Sequence, residues 1–511
     1  MPLDAPNDSS PLILALDLGT SSLRALIVDH HGQIVRDSED QRSYRMRTTA
    51  DGGVEVDAPP LFDLLVSVID GAVERAGARA AHIAAVGVTS FWHSLLGLDA
   101  NDEPVTPVFS WADSRSAAQA RQLRNETDEI AVHRRTGCRF HSSYWPAKLR
   151  WLQATAPKTY HRATRWVSFA EYAAGRLCAG APRQVTFSMA SGTGLLDVHH
   201  LVWDAPLLDL LGLSPDRLSA LVDTGETTSL ATELARRWPA LDGTPWLPAI
   251  GDGAAANVGS GAIGADRMAL TLGTSGAMRM VVPAAKATVP TDLWAYRLDR
   301  AQMVLGGALS NGGNVQRWTR ELLSVPIDGP VMARVNDLPP DSHGLTMLPF
   351  VSGERSPGWH DGATGVIAGL TLATRPGDLV RAAMEAVAYR FGRIFDTLRP
   401  LSPASDTELE IVANGGAIVN SPVWLQIVAD TLGHPIIALP AEDEATARGA
   451  AIVAQIAVGI LPDLAAASDP TVEATTYLPD VERHRRYQAG RERQARLEAT
   501  LFPEGAQNID W

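Results

Sequence analysis

One segment occurs twice in this chain, and the repeat limits what the chain can fold into more than any other feature. The first copy, Leu14–Val28, reads LALDLGTSSLRALIV, and the second, Leu270–Val281, reads LTLGTSGAMRMV. In each, an apolar strand enters a Gly-Thr-Ser turn and a second apolar strand leaves it. Glycine permits the tight turn and a close backbone approach to a ligand. The hydroxyls and N–H groups that follow suit an anion such as phosphate. A single turn of this kind has an ordinary reading as a connector. Two, at matching places in two halves of a chain, point to a duplicated fold gripping one phosphorylated ligand from both sides. Nucleotide-dependent phosphoryl transfer is the leading expectation.

A chain of 511 residues is too long for one core and should divide into at least two large domains. The formal net charge of -14 argues against nucleic acid or an anionic membrane as a bulk partner. An anionic substrate must therefore be held by local donors. The two cysteines, Cys138 and Cys178, have no metal-ligand spacing, so a zinc site or disulfide framework is not expected and a cytoplasmic location is. Residues 1–10 lack the basic start and apolar core of a signal peptide and read as a short disordered lead-in. No apolar run approaches membrane-spanning length.

Along the chain, strand and helix signals alternate, which indicates an α/β class. Strands are expected at Ile13–Leu18, Leu23–Val28 and, after the turn Asp29–Gly32, from Gln33 to Val35. Pro59–Ala78 carries helical spacing, and Ile83–Val88 and Leu95–Leu98 read as strands. Ala249–Asn257 is a plausible boundary between halves. Helices are expected at Pro376–Arg399, Ser421–Leu432 and Ala445–Ile460, the last rich in small residues suited to close packing. The tail from Leu461 is rich in proline and charge and is expected to wrap the surface.

Several residues could carry chemistry, each with an ordinary alternative. Asp17 ends the first strand just before the phosphate turn. It could hold Mg²⁺, directly or through water, or cap its own turn. Asp252, between two glycines, could be the general base that takes a proton from an attacking sugar hydroxyl, or a helix N-cap. Trp111-Ala-Asp113-Ser-Arg115 offers an aromatic face for a sugar and groups that bond hydroxyls or a carboxylate, but also reads as an exposed loop with an internal ion pair. Trp92, His93 and His141 are weaker candidates for the same pocket. Asn414-Gly415-Gly416-Ala417, between a strand and a helix, is either an anion site or a tight connection. Gly353-Glu-Arg-Ser-Pro357 reads as an ordered loop to which composition gives no chemistry.

Taken together, these motifs resemble the FGGY carbohydrate kinases of the actin-like ATPase superfamily, over roughly Ile13 to Ile460. Asp17–Ser22 and Leu272–Gly276 are similar to the family's two phosphate hairpins, and Gly251-Asp252-Gly253 to its catalytic segment. Gly353–Pro357 and Gly415–Gln426 match further landmarks. Gly365–Leu370, Asp378-Leu379 and Ala382–Glu385 fit the C-terminal signature, while Trp145 stands where the N-terminal signature has a small residue or proline. Within the family, Trp111–Arg115, Arg134-Arg-Thr-Gly137 and Gly306–Gly313 look most like gluconate kinases.

The resemblance implies two actin-like (ribonuclease H-like) α/β domains with a central cleft. The N-terminal domain would span residues 12–253 and the C-terminal domain 262–460, followed by a tail, 461–511. It implies ATP and Mg²⁺ as cofactors, with Asp17 at the metal and Asp252 as catalytic base. ATP would lie on Gly19, Thr20, Ser21, Gly273, Thr274, Gly313, Gly415, Gly416, Ala417 and Asn420. The sugar would meet Trp92, His93, Trp111, Asp113, Arg115, His141 and Gly253. Arg115, His93 and His141 are the candidates for a substrate carboxylate. D-Gluconate, phosphorylated to 6-phosphogluconate, is the expected substrate. Ser114 and Trp92 depart from the usual residues, which leaves another aldonate or a pentulose such as xylulose open. An inactive sugar or nucleotide sensor on the same fold is the alternative from another class. A homodimer is also left open.

Overall fold

The repeated segment becomes the first two strands of two sheets built to one plan. A computed structural model of the chain describes residues 10–180, 183–326, 329–440 and 444–502, so the N-terminal lead-in expected over residues 1–10 lies outside the described residues except for Ser10. In the first half, β1 (Leu12–Leu18), β2 (Ser22–Val28), β3 (Asp40–Ser43), α1 (Ala58–Ala76), β4 (Ile83–Ser90), β5 (Ile250–Gly251) and α2 (Asp252–Gly259) frame the domain. The second half supplies β6 (Arg267–Leu272), β7 (Gly276–Pro283), β8 (Trp294–Arg297), β9 (Gln302–Leu309), α3 (Gly313–Leu322) and α4 (Pro376–Leu398). It continues with β10 (Glu410–Asn414), α5 (Gly416–Val419), α6 (Pro422–Leu432), β11 (Ile436–Ala438), α7 (Ala445–Ala457), β12 (Thr475–Tyr477) and α8 (Val481–Leu501).

The first sheet runs β3-β2-β1-β4-β5, and the second contains β9-β7-β6-β10-β11 in the same relation, with β8 beyond β9 and β12 beyond β11. In both, the first three strands are antiparallel and the next two run parallel to the first. Each sheet therefore places the end of its first strand, and the turn that follows, at the same edge of its domain. This is the two-domain α/β architecture that the repeat implied.

β1 is buried on both faces, which explains its nearly unbroken apolar run. Leu14 and Leu16 pack in the cluster that includes Leu65, Val68 and Ile69 of α1, while Ile13 and Ala15 pack with Ala447, Ala451 and Ala454 of α7. Burying each such aliphatic side chain contributes roughly 1.5–3 kcal/mol for the larger ones. Helix α7 thus lies late in the sequence but covers the first sheet. Its small residues let it meet α2 backbone to backbone: a Cβ at Gly449 would overlap the backbone of Ala255, and one at Gly259 that of Ala445.

Two expectations are corrected. The third strand of the first sheet is Asp40–Ser43, not Gln33–Val35; Ile34 makes only one bridge, to Val28. The Ser38 hydroxyl accepts the Ile27 N–H at 3.0 Å, filling the edge position until Asp40 resumes pairing opposite Ala25. The tail is no mere surface wrap. β12 pairs with β11, and α8 packs on α4 and α6 with Tyr487, Gln494 and Glu498 buried. Its charges face inward as well as out, because Glu498 meets Arg390 and Arg393 of α4.

Candidate active site

Asp252 sits at the first position of α2, one residue after the end of β5, so the sheet edge sets its place. It lines a cavity of about 180 Å³ together with Trp92, His93, Trp111, Gly253, Arg279 and Arg355. The backbone turn of the second hairpin, at Ser275 and Gly276, borders the same cavity. The helix cap is Gly251, so Asp252 is not the N-cap that the sequence left open. Its Oδ1 accepts the Gly253 N–H at 2.7 Å. Burial raises its pKa, opposed by that N–H, by Arg279 and by the Trp92 N–H. Such a carboxylate is a stronger base than one in water.

Trp92 is packed into the cavity floor. A Cβ at Gly192, Gly251 or Gly253 would strike its indole, so these glycines make room for the bulk noted at this position. Its Nε1 donates to Ser188 O at 2.9 Å, and its ring meets Trp294 and Tyr296 edge-on. His93 lies beside it at φ 70°, a costly conformation for a residue with a Cβ. Its Nδ1 donates to Gly192 O at 2.5 Å, which leaves Nε2 as an acceptor. Burial, reinforced by Arg355, holds its pKa well below the ordinary value. A neutral His93 suits a sugar hydroxyl and not a carboxylate.

Asp17 ends β1, half-buried, and makes no ion pair among the described residues. Burial pushes its carboxyl up to about 7, against the pull of Arg24 and with repulsion from Asp252. Arg24 itself is committed to Glu39 and Glu444. Two neighbouring carboxylates, neither in an ion pair among the described residues, are a donor set that fits a hard divalent cation, which would relieve both burial and repulsion.

The two turns are prepared alike. Gly19 N donates to Ser22 O at 3.1 Å, and Gly273 N to Ser275 O at 3.0 Å. The hydroxyls of Thr20, Ser21, Thr274 and Ser275 make no hydrogen bond among the described residues. Gly313, at the start of α3, donates its N–H to Gly273 O at 2.8 Å, so that helix N-terminus abuts the second turn. Gly415 has φ 97°, and a Cβ there would lie 2.8 Å from the Leu272 backbone. A Cβ at Gly313 would lie 2.8 Å from that of Ala417. Gly273, Gly313, Gly415, Gly416 and Ala417 are thus gathered from three distant segments, with exposed Asn420 closing the short α5 by donating to Gly416 O at 2.9 Å. The cluster can receive an anionic phosphate chain on backbone N–H groups.

Other expected sugar residues are not brought to the cavity. Asp113 is buried, accepting from Val54 N at 3.1 Å and pairing with Arg115, which also pairs with Glu55 at 2.5 Å. The Arg115 guanidinium stacks on Phe109 and Trp151. His141 meets Asp361 at 2.9 Å in a contact between the halves, where Arg124 and Ser142 also bond Asp361. Against the effect of burial, these partners hold Asp361 at about 2. Sequence reasoning missed Arg279, Trp294, Tyr296 and Arg355. Only Arg355 had a usable signal, the Gly353–Pro357 motif.

With this geometry in view, the similarity to known proteins is informative. Residues 12–259 match the N-terminal domain model of the FGGY family of carbohydrate kinases, and residues 268–458 match its C-terminal domain model. The chain belongs to the FGGY family of carbohydrate kinases; it is a sugar kinase. It is 28% identical over 469 residues to the gluconokinase of Bacillus subtilis (strain 168), covering 89% of this chain and 90% of that one. It is 30% identical over 480 residues to the glycerol kinase of Koribacter versatilis (strain Ellin345), covering 92% and 94%. The crystal structure of gluconate kinase from Lactobacillus acidophilus superposes with a TM-score of 0.86 at 26% identity, covering 97% of this chain and 99% of that one. No described helix is long and apolar enough to cross a membrane.

Proposed function

We propose that this kinase transfers the γ-phosphoryl group of ATP to the terminal hydroxyl of D-gluconate, giving 6-phosphogluconate and ADP. The observation that carries the reading is that one cavity joins aromatic faces, the recessed carboxylate of Asp252 and the backbone of the second hairpin. Acceptor and phosphoryl donor would meet at Asp252. The substrate oxygen attacks the γ-phosphorus, the bond to the β–γ bridging oxygen breaks, and the hydroxyl proton passes to the Asp252 carboxylate. Phosphoryl transfer asks mainly for positioning and charge stabilisation. The backbone N–H groups at Thr20, Ser21 and Thr274 cradle the phosphates beside the N-terminus of α3, and Gly415–Asn420 receives the adenosine. Asp17 would hold Mg²⁺, which when bound neutralises phosphate charge. Trp111 and Trp92 offer faces to the C–H surface of the sugar, and His93 Nε2 accepts from a hydroxyl.

Gluconate is favoured over glycerol or a pentulose by the Trp-Ala-Asp-Ser-Arg segment and by the named gluconate kinases among the relatives. An enzyme is favoured over an inactive sensor because Asp17, Asp252 and both Gly-Thr-Ser turns are all present in the chain. Coupled ADP release with gluconate, other aldonates, xylulose, ribulose and glycerol at equal concentration tests the reading. The highest kcat/KM is expected for gluconate. A higher value for a pentulose or glycerol rejects the substrate, and no turnover with any sugar rejects the enzyme.

A further inference from the structure

Arg355 is a buried cation that makes no ion pair among the described residues, with the Asp252 carboxylate acting on it only across the cavity. Its side chain is 9% exposed and lines the Asp252 cavity. Among the described residues its guanidinium has no ion pair or hydrogen-bond partner, and Nε is a buried donor left unmet. The guanidinium lies over the face of Trp111, 4.7 Å from the ring centroid. Leaving a charge buried and unpaired is strongly unfavourable, so such a group points to a ligand that completes it. A planar guanidinium fixed on an aromatic face presents its free edge as a fork that fits a carboxylate.

The residues around it are anchored, so the fork is held in place. Asn311 Nδ2 donates to Gly353 O at 2.6 Å, and Ser356 Oγ donates to Asp292 O at 2.9 Å. Glu354 is paired with Arg390 of α4, which is paired in turn with Glu498 of α8. The remaining cations near the cavity already hold hydrogen-bond or ion-pair partners, whereas the Arg355 guanidinium holds none among the described residues. Arg279 donates to Asn257 Oδ1 at 2.9 Å and Thr271 Oγ1 at 2.7 Å. Lys148 donates to the carbonyls of Ser142 and Ser143, and Arg115 is paired with Asp113 and Glu55. His93 is neutral.

We propose that Arg355 receives the carboxylate of an aldonic-acid substrate and sets the preference for sugar acids over neutral sugars and polyols. This rests on the aldonate reading above. A linear acid lying in the cavity gives its carboxylate to Arg355 and its terminal hydroxyl to Asp252.

The test compares D-gluconate with D-glucitol, which has a hydroxymethyl group where gluconate has the carboxylate, in wild type, Arg355→Gln and Arg355→Lys. In Arg355→Gln the gluconate-to-glucitol ratio of kcat/KM is expected to fall about 100-fold or more, chiefly through the gluconate KM. Arg355→Lys keeps the charge without the fork and should fall in between. Calorimetric binding of gluconate should weaken in parallel, and melting curves report folding. A wild type that prefers gluconate, with a folded Arg355→Gln whose ratio and gluconate Kd stay within about threefold, overturns the assignment and leaves the gluconate reading standing. If Arg355→Gln does not fold, the same outcome in Arg355→Lys overturns it. A wild type that uses no aldonate removes the gluconate reading and this inference with it.

Discussion

Asp17→Asn separates the electrostatic cost of the first carboxylate from its use. Burial, offset by Arg24 and reinforced by Asp252, moves the Asp17 pKa from 3.8 to about 7 in the metal-free protein. The folded pKa is the higher one, so the native state holds a proton that the unfolded chain has lost between about pH 4 and pH 7. That contribution to stability is full below the unfolded pKa and disappears as pH rises through the folded one. At 1.36 kcal/mol per pH unit the rise corresponds to roughly 4 kcal/mol. The side chain is half-buried, and solvent screening brings the expected cost to about 2 kcal/mol. Asparagine carries no charge at any pH. In magnesium-free buffer, Asp17→Asn should melt with the wild type near pH 4.5 and about 2–4 °C above it at pH 8. ADP release by the variant should be nearly abolished, and Mg²⁺ with ATP should raise the Tm of wild type more than that of the variant. Melting temperatures that run parallel from pH 4.5 to pH 8 would refute the electrostatic argument, and wild-type turnover would refute the metal role.

Two other predictions concern Asp252 and the tail. Asp252→Asn preserves the acceptor for the Gly253 N–H but cannot take a proton, so kcat should fall by about 10²–10⁴ with little change in Tm; near-normal turnover in a folded variant shows that the residue is not the base. Glu498→Ala strips Arg390 and Arg393 of a buried partner, though Arg390 keeps Glu354, so urea unfolding should show a loss of about 3 kcal/mol. A loss below about 0.5 kcal/mol would mean that α8 is only loosely attached.

The sequence by itself determined the duplicated α/β plan, because two copies of an apolar strand, a Gly-Thr-Ser turn and a second strand are local patterns with local causes. The places of Asp17 and Asp252 at strand ends, and of the glycine segments at turns, were legible for the same reason: they are set by what immediately precedes and follows them. The route of the chain beyond the turn at Gly32 was not, since a serine hydroxyl at Ser38 replaces the strand partner there. Nor was the tail, whose charged residues read as solvent-facing until Arg390 and Arg393 are placed opposite Glu498. Tertiary structure alone decided which charges are free. In sequence Arg115 follows Asp113 and a tryptophan and looks available, yet Glu55, distant in the chain, consumes it. Arg355 stands beside Glu354 and looks neutralised, yet that glutamate is taken by Arg390, 36 residues further on. A charge is used or left over according to its neighbours in space, and those neighbours come from segments that no local pattern connects.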